Sequence, residues 1–323
     1  MLDNVVGQER AKRALELLTH GYKRRGIIPP IGIFGGSGLG KTHLVEAWAE
    51  EIGAKSIYVN GTAVKDALAF RKFFEEARED QSNYYLMFVD ECHGLPNKVQ
   101  ENLLSVLEQP AILCTVAPKD MGVIQCVEGR RYVEKGDVVR EELPPNMSFI
   151  LATTDPAKLK DPILNRLRKI QLTNYTIDNK IEIAMRHLAS QGMSVSETIH
   201  KALAQRSRSI RHLKTELCET FMDIQSLYGE DEDVSLDALD NALGIDEDGA
   251  TDMDKDYLEY LTENATVGVD TMAGKLGVDK LEIARSIEPF LLSKGWIIIT
   301  GRGRKLTDHG FKKVFGDDYV VST

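Results

Sequence analysis

Residues 35–42 read Gly-Gly-Ser-Gly-Leu-Gly-Lys-Thr, a spacing of glycines, ammonium and hydroxyl suited to binding a polyphosphate. Gly35, Gly38 and Gly40 let the backbone wrap closely with its N–H groups turned inward. A helix starting at the lysine adds partial positive charge where phosphate would sit. Lys41 would reach the β- and γ-phosphates, and the Thr42 hydroxyl would ligate Mg2+. The bland alternative is a glycine turn before an ordinary helix. Against it, the apolar run at 31–34 and the helical pattern at 42–51 supply the strand and the helix that such a loop requires.

A second constellation follows about 50 residues on, where the apolar run 84–89 ends in Asp90 and Glu91. The first carboxylate would hold Mg2+ through water, and the second would polarise the water that attacks the γ-phosphate. Loop and acidic pair together imply ATP hydrolysis. His93, which completes Asp-Glu-Cys-His, reads as a packing or structural hydrogen-bonding residue. Another strand ends in Ala152-Thr153-Thr154-Asp155, and a hydroxyl there could orient the lytic water, with Thr154 favoured over Thr153. Two arginines stand at helix ends. Arg166 is either a surface residue or one that reaches the phosphates of a neighbouring subunit, and Arg211 is either a surface residue or one that closes over nucleotide from its own chain.

The elements that must position these groups follow from periodicity. Short apolar or β-branched runs at 31–34, 56–59, 84–89, 148–152 and 169–172 alternate with helical patterns. The fold class expected is therefore α/β, a five-stranded parallel sheet with crossover helices. Between the helical pattern at 97–108 and the fourth strand, residues 110–147 alternate in polarity around turn signals and read as one or two projecting β-hairpins. From 176 to about 243 the period is helical throughout, which gives a small all-α domain. The last 70 or so residues read helix, turn, helix, then a strand at 296–300 and a basic turn Gly301-Arg302-Gly303-Arg304-Lys305: a winged helix. Asp279 and Glu282 have capping-box spacing before its second helix. The expected domains are 1–175 with an insertion near 110–147, 176–248 as a helical lid, and 249–323 as the winged helix.

The chain has 323 residues and a formal net charge of −10, which argues against nonspecific coating of nucleic acid. The charge is uneven. Residues 230–256 carry twelve acidic side chains and one base, the pattern of a solvated linker and helix face, whereas 289–307 carry four bases and no acid. No apolar run approaches a membrane span and no signal peptide opens the chain, so a cytoplasmic location without a membrane partner is expected. The four cysteines lack paired spacing and read as buried thiols.

The order of phosphate loop, Asp90-Glu91, Ala152-Thr153-Thr154, Leu164-Asn165-Arg166 and a lid arginine resembles the AAA+ ATPases. With 2–8 (Leu-Asp-Asn-Val-Val-Gly-Gln), Asp90-Glu91-Cys92-His93 and the stretch from Glu288-Pro289-Phe290-Leu291 to Gly301-Arg302-Gly303-Arg304, the chain resembles the RuvB family of Holliday-junction branch-migration motors. The resemblance implies ATP and Mg2+ as cofactors, with nucleotide contacts at Gly38, Lys41, Thr42, His43, Tyr175 and Arg211. It further implies an arginine acting in trans at Arg166, DNA contacts at Arg302 and Arg304, and a homo-hexameric ring on double-stranded or branched DNA. A RuvA-like junction-binding partner would dock on the hairpin. Ile299 occupies a position that is basic in the family's wing, and the hairpin segment is longer than the family's.

Residues 102–110 and 149–159 also resemble clamp-loader motor subunits, but the four-cysteine zinc module, the Ser-Arg-Cys finger and the helical collar of those proteins are missing from this sequence. A DExH-box helicase would need a second motor core, for which the residues after Asp90 leave little room. The remaining alternative is an ATP-switched, winged-helix regulator or helicase loader.

Overall fold

The computed structural model describes residues 2–108, 111–115, 122–126, 129–134, 136–228 and 232–316. Two compact units divide the chain, Met1–Asn179 and Lys180–Thr323.

In the first unit, helix α1 (Glu9–Arg25) leads into strand β1 (Ile31–Phe34), the phosphate loop and α2 (Lys41–Ile52). Then come β2 (Ala54–Asn60), α3 (Arg71–Glu79), β3 (Tyr84–Asp90) and α4 (Asn97–Glu108). Four short strands follow: β4 (Ala111–Thr115), β5 (Gly122–Cys126), β6 (Gly129–Val133) and β7 (Val138–Glu142). They form two antiparallel pairs, β5 with β6 and β4 with β7, so one hairpin is nested in sequence inside the other. Parts of the turns expected in this segment, at 116–121, 127–128 and 135, lie outside the described residues. Strand β8 (Met147–Thr153), the short helix α5 (Asp161–Leu164) and β9 (Arg168–Gln171) complete the unit.

The main sheet has five strands in the order β2-β3-β8-β1-β9, all parallel. Both faces are covered, which is why β1 and β8 are buried along their whole length and β3 up to Asp90. One face packs Phe70, Phe74, Val99 and Leu103 against Tyr85, Met87, Val89, Phe149 and Leu151. The other packs Leu15, Leu44, Val45 and Trp48 against Ile31, Ile33, Leu86, Phe88 and Ile150. Because β8 lies between β1 and β3, the phosphate loop, the end of β8 and the acidic pair leave the same carboxyl edge of the sheet, the edge where parallel sheets bind ligands.

The second unit continues α6 (Ile177–Ser190), then α7 (Glu197–Arg206) and α8 (Ile210–His212). A π-type turn at Leu213–Cys218 carries α8 into α9 (Glu219–Tyr228), and α10 (Glu232–Leu243) follows. The winged helix is built from α11 (Asp252–Glu263), α12 (Val269–Leu276), α13 (Lys280–Glu282), a second π turn at Ile283–Ile287 and α14 (Glu288–Ser293). The antiparallel strands β10 (Ile297–Thr300) and β11 (Gly303–Leu306) form the wing, and α15 (Asp308–Phe315) follows. Tyr257, Leu261, Met272, Ile283, Phe290, Leu291 and Trp296 make its core. Asp279 caps α13 by accepting from the Leu281 N–H, while a reciprocal box unseen in the sequence, Thr251 with Asp254, opens α11.

Candidate functional site

Gly38 and Gly40 hold φ of +75° and +82°, and Gly40 is the residue from which α2 departs. A side chain at Gly40 would be strained by that φ and would also meet the Tyr175 hydroxyl at 2.8 Å. Lys41 is 7 % exposed and its ammonium donates to the carbonyls of Gly35 and Gly36 at 3.0 and 3.1 Å, curled over the loop whose phosphate it would take. Thr42 is half-buried in the first turn of α2, and His43 beside it is exposed. The Tyr175 hydroxyl donates to the Leu39 carbonyl at 3.1 Å, and the Gln8 side chain spans Leu39 and Thr173, accepting from the Thr173 N–H at 3.0 Å. The segment at 5–8, the loop and Tyr175 thus share one wall.

At the end of β3, Asp90 Oδ1 accepts from the Glu91 N–H at 2.9 Å, and Tyr58 on β2 donates to Oδ2 at 3.4 Å. Glu91 sits at φ +47°, a left-handed backbone rare for a residue with a Cβ. Its Oε2 accepts from the Thr154 hydroxyl at 3.1 Å and lies 3.1 Å from His93 Nδ1. That same ring nitrogen is 2.9 Å from the hydroxyl of Thr153, which is fully buried and accepts from the Asp155 N–H. The hydrogen bond to Glu91 is thus Thr154's, while the His93 ring stands beside the same carboxylate and bonds the Thr153 hydroxyl. His93, read from the sequence as a packing or structural hydrogen-bonding residue, does make such a bond, to the Thr153 hydroxyl. The signal was available in the Asp-Glu-Cys-His spacing, but not which way the ring points. Burial pushes the neighbouring Cys92 thiol up to about 12, which leaves it protonated and inert.

Both arginines singled out in the sequence are exposed. Arg166 is exposed just after α5, its Nη1 donating to the Pro162 carbonyl at 2.7 Å. Arg211 is exposed on α8, in the second unit. The two wing arginines divide. Arg302 is exposed at the tip, but Arg304 turns inward and grips Glu288, itself 3 % exposed, through Nε at 2.6 Å and Nη2 at 3.1 Å. Tyr257 donates to the same carboxylate at 2.9 Å. Arg304, expected as a DNA contact, is here the counter-ion of a buried acid.

A nucleotide loop on a parallel sheet, an acidic pair at the end of β3 and a hydroxyl at the end of β8 define an AAA-type ATPase domain. The family model for ATPases associated with various cellular activities matches residues 31–175, and that of the RuvB C-terminal winged helix domain matches 247–314. The Holliday junction branch migration complex subunit RuvB of Fusobacterium nucleatum is 28 % identical over 97 % of this chain and 91 % of its own. The RuvB subunit of Lacticaseibacillus casei is also 28 % identical, covering 96 % and 88 %. The solved Thermotoga maritima RuvB Holliday junction branch migration motor shares the fold, with a TM-score of 0.73 and 23 % identity over 99 % of this chain and 97 % of that one. The chain is a RuvB-like AAA ATPase, and nucleotide binding belongs to that family. Among the described residues, no helix is long and apolar enough to cross a membrane.

Proposed function

We propose that the protein is an ATP-driven motor on branched DNA, migrating four-way junctions as the RuvB relatives are named for doing. The observation that carries this reading is the pairing on one chain of a hydrolytic AAA site with a RuvB-type winged helix whose tip presents Arg302. It is organised as an ATPase domain at 1–175, a lid at 176–248 and a DNA-binding domain at 249–323, in a cytoplasmic homo-hexameric ring. A RuvA-like partner would engage the nested hairpins.

Lys41 exchanges the carbonyls of Gly35 and Gly36 for the β- and γ-phosphates of ATP, which the N–H groups of the loop and Tyr175 help to seat. Thr42 and Asp90 are hard oxygen donors of the kind Mg2+ takes beside substrate phosphates, and the pair fits that ion. Bound there, Mg2+ would neutralise charge on the β- and γ-phosphates. Glu91 orients and deprotonates the attacking water, with the Thr154 hydroxyl holding its carboxylate. Arg166 stabilises transition-state charge at the site of the next subunit, and Arg211 reports nucleotide state to the lid. Arg302 contacts phosphate in the DNA backbone, which gives salt-sensitive binding with little sequence preference, as a translocating motor requires.

A synthetic four-way junction incubated with the protein and ATP should resolve into duplexes, and Glu91→Gln should abolish this while keeping ATP binding. DNA-stimulated hydrolysis without resolution would instead favour a loader or switch.

A further inference from the structure

The connection between α7 and α8 is three residues, Ser207 to Ser209, and its middle residue leaves the lid altogether. Arg208 reaches into the winged helix, where its guanidinium pairs with Asp254, a carboxylate with no exposure: Nη1 lies 3.4 Å from Oδ1 and Nη2 bonds Oδ2. Nη2 also donates to the Gly249 carbonyl at 3.2 Å and Nη1 to the Ser286 carbonyl at 3.5 Å. The guanidinium plane lies over the Phe290 ring at 4.1 Å. One side chain therefore touches the linker, the capping box of α11, the π turn before α14 and the core aromatic of α14.

The partner carboxylate is itself structural. Asp254 Oδ2 accepts from the N–H and the hydroxyl of Thr251 at 2.8 and 2.7 Å, closing the box that starts α11. The lid and the winged helix also approach at backbone level. A Cβ on Gly249, whose φ is +83°, would lie 2.1 Å from the Arg206 carbonyl, and Lys294 donates to the Gln205 carbonyl at 2.6 Å. Carbonyls at the end of α7 are thus met by residues of the linker and the winged helix, as helix C-termini favour. On the other side of Arg208, Ser209 caps α8 by accepting from the His212 N–H, and α8 carries Arg211.

We propose that Arg208 is a positioning residue that makes the winged helix follow Arg211, so that a change of nucleotide at the lid moves the DNA-binding domain as one body with it. The anchor to the winged helix and the arginine that senses nucleotide are three residues apart, joined by a capped helix start with no slack between them. This rests on the reading of Arg211 given above. The chemistry suits arginine over lysine: only a planar, five-donor cation can pair two carboxylate oxygens, reach two carbonyls and stack on a ring together.

The test uses the full-length chain. Hydrogen exchange is followed with and without Mg2+ and adenylyl imidodiphosphate, alongside ATPase activity with and without a synthetic junction. Wild type should change protection at 207–214 and at 249–258 together. Arg208→Met should change only the first, keep DNA-free hydrolysis within about twofold, and lose about tenfold of the stimulation by DNA. Arg208→Lys should fall between. Because Arg208→Met leaves a buried carboxylate unpaired and can unfold the winged helix, the pair Arg208→Met/Asp254→Asn is measured as well; it removes the charge and should show the same uncoupling in a folded protein. Lowered thermal stability with both segments still responding together, and stimulation intact, would overturn the proposal. So would no response at 207–214 in wild type, which also ends the reading of Arg211. Coupled protection changes in wild type without any stimulation by DNA would leave the coupling standing and remove the motor on DNA instead.

Discussion

Replacing Arg304 with methionine separates a structural arginine from a DNA-contacting one. Glu288 is 3 % exposed, and its two oxygens take Arg304 Nε and Nη2 at 2.6 and 3.1 Å and the Tyr257 hydroxyl at 2.9 Å. Burial and the adjacent Glu288 push the Tyr257 phenol far above its ordinary range, so it stays a donor when the arginine is gone. Removing one partner of a buried ion pair costs about 3–5 kcal/mol. The surviving tyrosine bond, and the water that reaches Arg304 at 17 % side-chain exposure, put this case near 3 kcal/mol. For a unit of this size that lowers Tm by roughly 6–12 °C. Calorimetry of Arg304→Met supplies the first number, and Arg304→Met/Glu288→Gln should recover part of the loss because the unpaired charge is gone. The second number is the dependence of DNA affinity on salt below the unfolding range. Its slope should be unchanged in Arg304→Met but shallower by about 0.9 in Arg302→Ala, one phosphate contact. A native Tm in Arg304→Met together with a slope shallower by one contact would refute the reasoning.

Three other outcomes are expected. Glu91→Gln should retain ATP binding and lose hydrolysis by about 10²–10⁴-fold in single-turnover assays. Thr154→Val removes the hydroxyl that donates to Glu91 and should lower kcat about ten- to hundredfold with KM little changed, since a hydrogen bond to a charged group is worth about 1.5–3 kcal/mol. Burial, opposed by Asp248 and reinforced by Lys180 and Lys313, pushes the Lys294 ammonium down to about 8 from 10.5. Between those values the unfolded chain binds more protons, so this group's contribution to stability rises with pH across that window. The Tm advantage of Lys294→Met over wild type should therefore shrink from pH 7 to pH 10.

The central strands were legible because burial on both faces leaves runs such as 31–34 and 84–89 with almost no polar residue, a pattern few other environments produce. The phosphate loop was legible because its conformation needs glycine at fixed offsets, and the hydroxyl favoured at the end of β8, Thr154, is the one that donates to Glu91. Strand order could not be read, since nothing local in β8 says that it lies between β1 and β3. Nor could the roles of Arg206 and Arg208, which stand with Arg211 as three like side chains within six residues. In the fold, one pairs with Asp240, one enters the winged helix and one is exposed. Arg304 carried a signal that went unused: Glu288 falls among Ile287, Phe290 and Leu291, and a carboxylate on an apolar helix face calls for a cation.

The left-handed backbone at Glu91 implies that folding and turnover want different residues at this position. Glycine would adopt φ +47° freely, and asparagine more readily than glutamate, so the fold bears a conformational cost of about 1 kcal/mol for keeping a carboxylate there. A library selected only for thermal tolerance would therefore drift toward Glu91→Gly or Glu91→Asn and enrich inactive ATPases, whereas selection for turnover would hold the glutamate against that drift.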